Sequence, residues 1–356
     1  MAELLKNLYS KTFIESFSVS LEQTLSKFDR ESFVNDVMSD DWDEKELKQR
    51  MKHIAVVLKT YLHNDYEKDI QTIILIINQI RKSGLKEESI EYMFFPEFIE
   101  RYGLDYFDIS INAIEEITQF TSCEFAIRPF IKKYPEKTMS VMLDWSYHSN
   151  HLVRRLSSEG CRPRLPWAMA LPDFKLNPQP ILPILENLKN DTSEFVRRSV
   201  ANNLNDIAKD HPNIVIEISK MWKGDNKETD WIVKHGCRTL LKQANHEALK
   251  LFGFENGVNC KITKFEIHSD AIKIGDNLEF SFELMNDTDK ELKLRIEYGI
   301  YYMKANGKWN RKLFKITENT YKNNATYTFK RKQSFRNLTT RKHYLGDHKI
   351  AYSFQS

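Results

Sequence analysis

Apolar positions recur every three or four residues through most of the first 253 positions, then switch after Gly253 to alternation with polar ones. Leu47, Met51, Ile54, Leu58 and Tyr61 share one helical face, with Asp43 as the expected cap. Asp65 opens a second helix whose stripe is Ile70, Ile73, Ile74, Ile77 and Ile80, and Gly84 ends it. Short amphipathic helices precede these in residues 1–38. The helical rhythm continues over 96–103, 107–119, 123–134, 137–147, 183–190, 193–209, 213–222, 230–243 and 246–252. Six of the ten prolines fall between Pro163 and Pro183, which excludes a regular helix there. Long loops inside compact domains tend to carry function.

One phrase returns along the helical part. Asn150 opens H-L-V-R-R-L, Ser193 opens E-F-V-R-R-S-V, and Asp230 opens a looser W-I-V-K-H-G-C. The marker valines Val153, Val196 and Val233 lie 43 and then 37 residues apart. A cap, an apolar residue, a valine and two cationic residues at about 40-residue spacing are the signature of a HEAT-type solenoid. One helix of each pair would then line a concave face bearing Arg154, Arg155, Arg197, Arg198, Lys234 and His235. Repeated cations on such a face suit a phosphate backbone. The Pro-rich stretch adds Arg162, Arg164 and Trp167.

After Gly253, six runs of alternating residues are separated by Gly275-Asp276, Asn286-Asp287, Asn306-Gly307 and Asn323-Asn324. They predict a small β-sandwich, immunoglobulin-like in its strand spacing. The expected fold is thus an all-α HEAT-like helical solenoid over 1–253 followed by an all-β immunoglobulin-like sandwich over 254–356.

Charge sharpens that division. The whole chain carries only +3, but residues 254–356 hold 19 Lys and Arg against 12 Asp and Glu. A basic second domain suits an anionic partner. Its cluster is Lys330, Arg331, Lys332, Arg336, Arg341 and Lys342, a candidate clamp on DNA or an ordinary lysine-rich surface.

The four cysteines form no C-x-x-C pair, and no His/Cys cluster has zinc spacing, so neither a disulfide framework nor a metal is expected. His148, His151 and His235 lack a matching ligand set and read as surface or cap residues. Gly-rich phosphate loops and G-x-S-x-G elbows are absent, and no cofactor is expected. No signal peptide or membrane-length apolar run is read, so the expected location is cytoplasmic.

Three carboxylates stand among the cationic phrases: Glu124, Glu159 one turn beyond Arg155, and Asp206 two turns beyond Arg198. Residues 195, 199, 202 and 206 share a helical face. Acidic groups oppose DNA affinity, so in a phosphate-binding groove they need another purpose. A carboxylate facing a positively charged group is one. A structural ion pair between repeats is the alternative for any of them singly. Phe125, Trp145 and Trp167 read either as core or as ligand platform.

These residues resemble the AlkC branch of the HEAT-repeat DNA alkylation-repair glycosylases, the AlkC/AlkD superfamily. The matching phrases are EFAIRPF (124–130), N-x-x-V-R-R-L-x-S-E-G-x-R-P-R-L-P-W (150–167) and E-F-V-R-R-S-V-A-N-N-L-N-D (194–206). The resemblance implies a monofunctional DNA glycosylase that removes 3-methyladenine and 3-methylcytosine from double-stranded DNA, acting as a monomer and leaving an abasic site. It implies catalytic roles for Glu124, Glu159 and Asp206, and lesion contacts for Phe125 and Trp167. Arg154, Arg155, Arg162, Arg164, Arg197, Arg198, Lys330, Arg331, Lys332 and Arg336 are the candidate DNA-binding residues. The competing readings are a non-catalytic nucleic-acid-binding module and a protein-binding scaffold.

Overall fold

In a computed structural model, the chain is described at residues 5–85, 89–254, 260–269, 271–338 and 341–355. Its helices are α1 (Lys11–Glu22), α2 (Arg30–Val37), α3 (Leu47–Tyr61), α4 (Tyr66–Lys82), α5 (Phe94–Tyr102), α6 (Phe107–Ile117), α7 (Ile127–Lys133) and α8 (Pro135–Trp145). They continue with α9 (His151–Glu159), α10 (Pro172–Leu176), α11 (Leu182–Leu188), α12 (Glu194–Ile207), α13 (Pro212–Trp222), α14 (Lys227–Gly236), α15 (Arg238–Lys242) and α16 (His246–Leu251). The strands are β1 (Cys260–Ile267), β2 (Asn277–Asn286), β3 (Leu292–Met303), β4 (Trp309–Tyr321), β5 (Ala325–Ser334) and β6 (Lys349–Gln355). No described helix is long and apolar enough to cross a membrane.

Side-chain caps set several helix starts, though Ser193, at the expected cap position of α12, makes no cap bond. Asp65 accepts from Lys68 N–H, and Asn150 accepts from Leu152 N–H at 2.8 Å, as the sequence predicts. Two expected caps move. Asp43 lies in a short 3-10 turn, and Glu46 caps α3 through a capping box with Gln49. Asp230 sits inside α14, which begins three residues earlier, and accepts from Gly224 N–H at 2.7 Å. The single helix expected over 230–243 is broken between Gly236 and Arg238. The Pro-rich stretch holds only α10 and one 3-10 turn (Gln179–Ile181), because each proline removes an N–H donor.

Residues Met1–Gly236 form one compact unit and Cys237–Ser356 a second. In the first, α12 packs between α9 and α14, while α8 and α11 pack on each other behind α9. This is the two-layer stacking of a helical solenoid. Val153, Val196 and Val233 are fully buried, so the repeated valine marks the packed face of each equivalent helix. The α12–α14 contact is close: a Cβ on Gly236 would lie 3.0 Å from Leu204 Cβ.

The second unit contains two three-stranded antiparallel sheets, ordered β1-β2-β5 and β4-β3-β6. Phe280, Phe282 and Leu284 from one sheet meet Leu294, Ile296, Tyr298 and Ile300 from the other, the period-two burial of a sandwich. Here α15 and α16 belong with the sheets rather than with the solenoid. Within this unit, Lys293 on β3 reaches the segment just after α16: its Nζ donates to Phe252 O at 2.7 Å and lies over the Phe254 ring.

Gly236→Val should force α14 off α12 and lower stability by about 1–3 kcal/mol, read as a lower denaturation midpoint at unchanged m-value.

Candidate nucleic-acid interface and active site

Glu124, Arg155, Glu159, Arg162 and Asp206 form one continuous chain of alternating charge. Glu124, in the turn before α7, is held by Arg155 Nη1 at 2.8 Å and by the Ser122 hydroxyl at 2.8 Å. Arg155 also reaches Glu159, one turn along α9, at 3.7 Å. Arg162 Nη1 donates to Glu159 at 2.7 Å, and its Nε donates to Asp206 Oδ2 at 3.0 Å. Lys209 closes the far end on Asp206 Oδ1 at 2.9 Å. Glu159, Arg162 and Asp206 are all buried.

Each link has a local cause. Arg155 and Glu159 are one turn apart on α9, and Asp206 and Lys209 one turn apart at the end of α12. Arg162 follows the end of α9, so it reaches back to Glu159 and across to the next repeat. Burial alone would lower the Arg162 pKa, but the charges of Glu159 and Asp206 and its bonds to both raise it. The α9–α12 interface beneath is also polar, with Ser199 Oγ donating to Ser158 Oγ and Asn203 Nδ2 to Ser158 O.

The arginine doublets divide their labour. Arg154 Nη1 donates to the carbonyls of His148 and Ser149, and Arg197 Nη1 to those of Asp191 and Thr192, six and five residues earlier in each case. Arg154 also pairs with Asp191 through two bonds of 2.6 and 3.0 Å. The first arginine of each doublet therefore ties down the loop before its helix, where a phosphate contact was expected. The second arginines differ. Arg155 lies over the Phe195 ring at 4.3 Å, and Arg198 is exposed and pairs with Glu194 one turn earlier. In the third repeat, His235 stacks on Trp231 and its Nε2 lies 3.4 Å from Asn202 Oδ1.

The carboxylate chain ends at a cleft of ≈ 180 Å³ lined by Glu124, Arg155, Phe195, Leu152, Ser122 and Met93, among others. Of the three candidate carboxylates, Glu124 lines it. Trp167 is 61 % exposed and has a φ of 65°. Phe125 is buried, and its ring face is covered by Lys48 Nζ at 4.9 Å, so it is not an open platform for a ligand. Trp145 is buried and donates to Glu115. Arg164 Nη2 donates to both carboxylate oxygens of Asp210, at 2.5 and 2.8 Å. His148 accepts from Asn150 N–H in the turn before α9. Among the described residues no cluster of three or more His, Cys, Asp or Glu could hold a metal.

In the second unit the basic cluster does not share one face. Lys330 and Lys332 point outward from β5, whereas Arg331 is half-buried on the inner side. Lys332 pairs with Glu279 at 2.6 Å, and β5 is an edge strand, where lysines also discourage strand pairing between molecules.

Several contributors escaped the sequence reading. Ser122, Phe195 and Lys209 complete the ionic chain and its cleft. Arg128, within EFAIRPF, is fully buried and donates to Gly160 O and Met169 O at 2.8 and 2.7 Å, joining the end of α9 to the Pro-rich loop. Burial, together with the nearby Arg162 charge, pulls its pKa down to about 10 against the opposing charges of Asp206 and Glu124. Glu97 and Glu100 on α5 are half-buried. Burial raises both carboxyls, and Glu100 reaches about 7, with Glu97 adding to the rise and Lys48 opposing it.

Residues 44–238 match the family described as DNA alkylation repair enzyme, and residues 261–353 match the C-terminal Ig-like domain of uncharacterised protein YhaZ. The chain is 41% identical over 351 residues to uncharacterized protein YhaZ of Bacillus subtilis (strain 168), covering 99% of this chain and 96% of that one. Among solved structures it resembles Pseudomonas fluorescens alkylpurine DNA glycosylase AlkC bound to DNA containing an abasic-site analog. That match has a TM-score of 0.93 at 33% identity, over 99% of this chain and 96% of that one.

Arg162→Met leaves Glu159 without its nearest cation and Asp206 without its Oδ2 partner, and should cost about 3–5 kcal/mol in chemical denaturation. Glu100 binds its proton more tightly folded than unfolded, so native stability falls as pH rises from 4.5 to 7. Glu100→Gln should therefore gain on the wild type across that window by about 1–3 kcal/mol, with no gain below it, in paired denaturation curves.

Proposed function

The chain belongs to the DNA alkylation repair enzyme family, and on that premise we propose that it is a monofunctional DNA glycosylase. Its substrates are cationic N3-methylated bases, 3-methyladenine and 3-methylcytosine, in double-stranded DNA. It acts as a monomer in the cytoplasm and leaves an abasic site. The observation that carries this reading is the convergence of Glu124, Glu159 and Asp206, from three separate segments, on Arg155 and Arg162 beside a cleft.

The chemistry follows from the leaving group. An N3-methylated base already carries positive charge, so it departs with the glycosidic electron pair as a neutral base and needs no general acid. Positive charge then builds on the sugar. A carboxylate facing that sugar stabilises the developing oxocarbenium character and orients a water, whose oxygen bonds to the anomeric carbon while its proton passes to a base. Glu124 is the carboxylate at the cleft, fixed by Arg155 and Ser122, and is assigned the lesion-facing role. Asp206 or Glu159 is assigned the water-positioning role. Trp167 offers an exposed aromatic face to a cationic base or sugar. The resemblance to AlkC bound to an abasic-site analog supports the same reading.

Arg155 and Arg198 are the doublet members assigned to DNA. Lys330, Lys332 and Arg336 are assigned supplementary phosphate contacts from the second unit.

Methylated DNA incubated with the full chain should release 3-methyladenine and 3-methylcytosine, resolved by chromatography. Glu124→Gln or Asp206→Asn should slow release by about 10²–10³-fold with DNA affinity retained. No release by folded wild type, with salt-sensitive DNA binding intact, would leave a non-catalytic binding module. Replacing Lys330, Lys332 and Arg336 by Gln should reduce the slope of log affinity against log salt by about 0.9 for each phosphate no longer neutralised. An unchanged slope removes the second unit's assigned role at the DNA.

A further inference from the structure

We propose that Lys48 is a positioning residue that holds Trp167 in place, an inference that builds on the glycosylase reading. Lys48 lies in the first turn of α3, 119 residues before Trp167, and its Nζ donates to Trp167 O at 2.9 Å. The same ammonium sits 4.9 Å from the centre of the Phe125 ring. Trp167 has a φ of 65°, a left-handed backbone that a bulky side chain adopts only when its surroundings enforce it.

The enforcement is visible on both sides of the residue. Lys48 grips the carbonyl of Trp167 itself, and Arg128 grips the carbonyl of Met169 two positions later at 2.7 Å. Between and around them, Ala168 N–H reaches Leu165 O, and Leu171 N–H reaches Pro163 O, each at 3.3 Å. The segment from Pro163 to Leu171 is therefore a closed loop with an exposed indole, fastened by one cation from α3 and one from α7. Phe125 and the α5 carboxylates Glu97 and Glu100 form the electrostatic surroundings of Lys48. Phe125 thus acts through Lys48, giving the ammonium a π face to rest on. The indole takes the ligand, and Lys48 touches neither base nor phosphate.

The test uses the full chain as wild type, Lys48→Met, Lys48→Arg, Trp167→Ala and the Lys48→Met/Trp167→Ala double variant. Lys48 is exposed, so its replacement leaves the core intact. Hydrogen exchange without DNA should rise about tenfold at Ala168 in Lys48→Met and return toward wild type in Lys48→Arg. Unchanged exchange overturns the proposal, and this arm stands whether or not the protein excises bases. Single-turnover release of 3-methyladenine should fall about tenfold in Lys48→Met, with no further fall in the double variant relative to Trp167→Ala. An additive loss, or a salt slope reduced by about one, would make Lys48 a direct DNA contact and overturn the positioning role. Absence of release by wild type would defeat the glycosylase reading alone, leaving the exchange result to decide on Lys48.

Discussion

The bridge that Arg162 makes between Glu159 and Asp206 is the constraint on which the rest of the site depends. Two carboxylates from successive repeats are buried within reach of one guanidinium, which supplies the shortest cationic contact to Glu159 and the Oδ2 partner of Asp206. A planar fork with several donors suits the task, because it can bond both partners at once where an ammonium offers only a point charge. The bridge fixes α9 against the end of α12 and thereby sets where Arg155 and Glu124 stand at the cleft. Stacking of repeats and assembly of the site are the same event here.

That coupling extends to the loops. The first arginine of each doublet serves the backbone that precedes its helix, and the second is free to face outward or across the interface. A repeat of this kind carries its own scaffold and its own functional position in adjacent residues. The Pro-rich connection follows the same logic with other means. It lacks the N–H groups for a helix, so buried Arg128 and exposed Lys48 supply donors to its carbonyls.

The functional reading rests on charge placed where the reaction generates it. A cationic leaving base removes the need for a strong acid, and what remains is to stabilise a cationic sugar in the presence of water. Carboxylates pre-paired with arginines meet that need at no cost in unpaired buried charge. The polar α9–α12 interface and the ionic chain above it make this the part of the solenoid where burial and polarity coincide.

The sequence by itself determined the succession of helices and strands, the repeat marked by Val153, Val196 and Val233, and the three carboxylates. Periodicity, proline placement and local spacing are carried by neighbouring residues, so one dimension suffices for them. Caps shifted by a turn at Asp43 and Asp230, because several nearby acids can serve and the surrounding packing selects among them. Only the tertiary structure decided that Arg154 and Arg197 serve backbone carbonyls while Arg155 and Arg198 do not. It alone covered Phe125 with Lys48 and grouped α15 and α16 with the sandwich. The reason is range. A lysine 119 residues from its acceptor leaves no periodic trace, and the direction of a charged side chain is set by which neighbours the fold brings within about 3 Å of it.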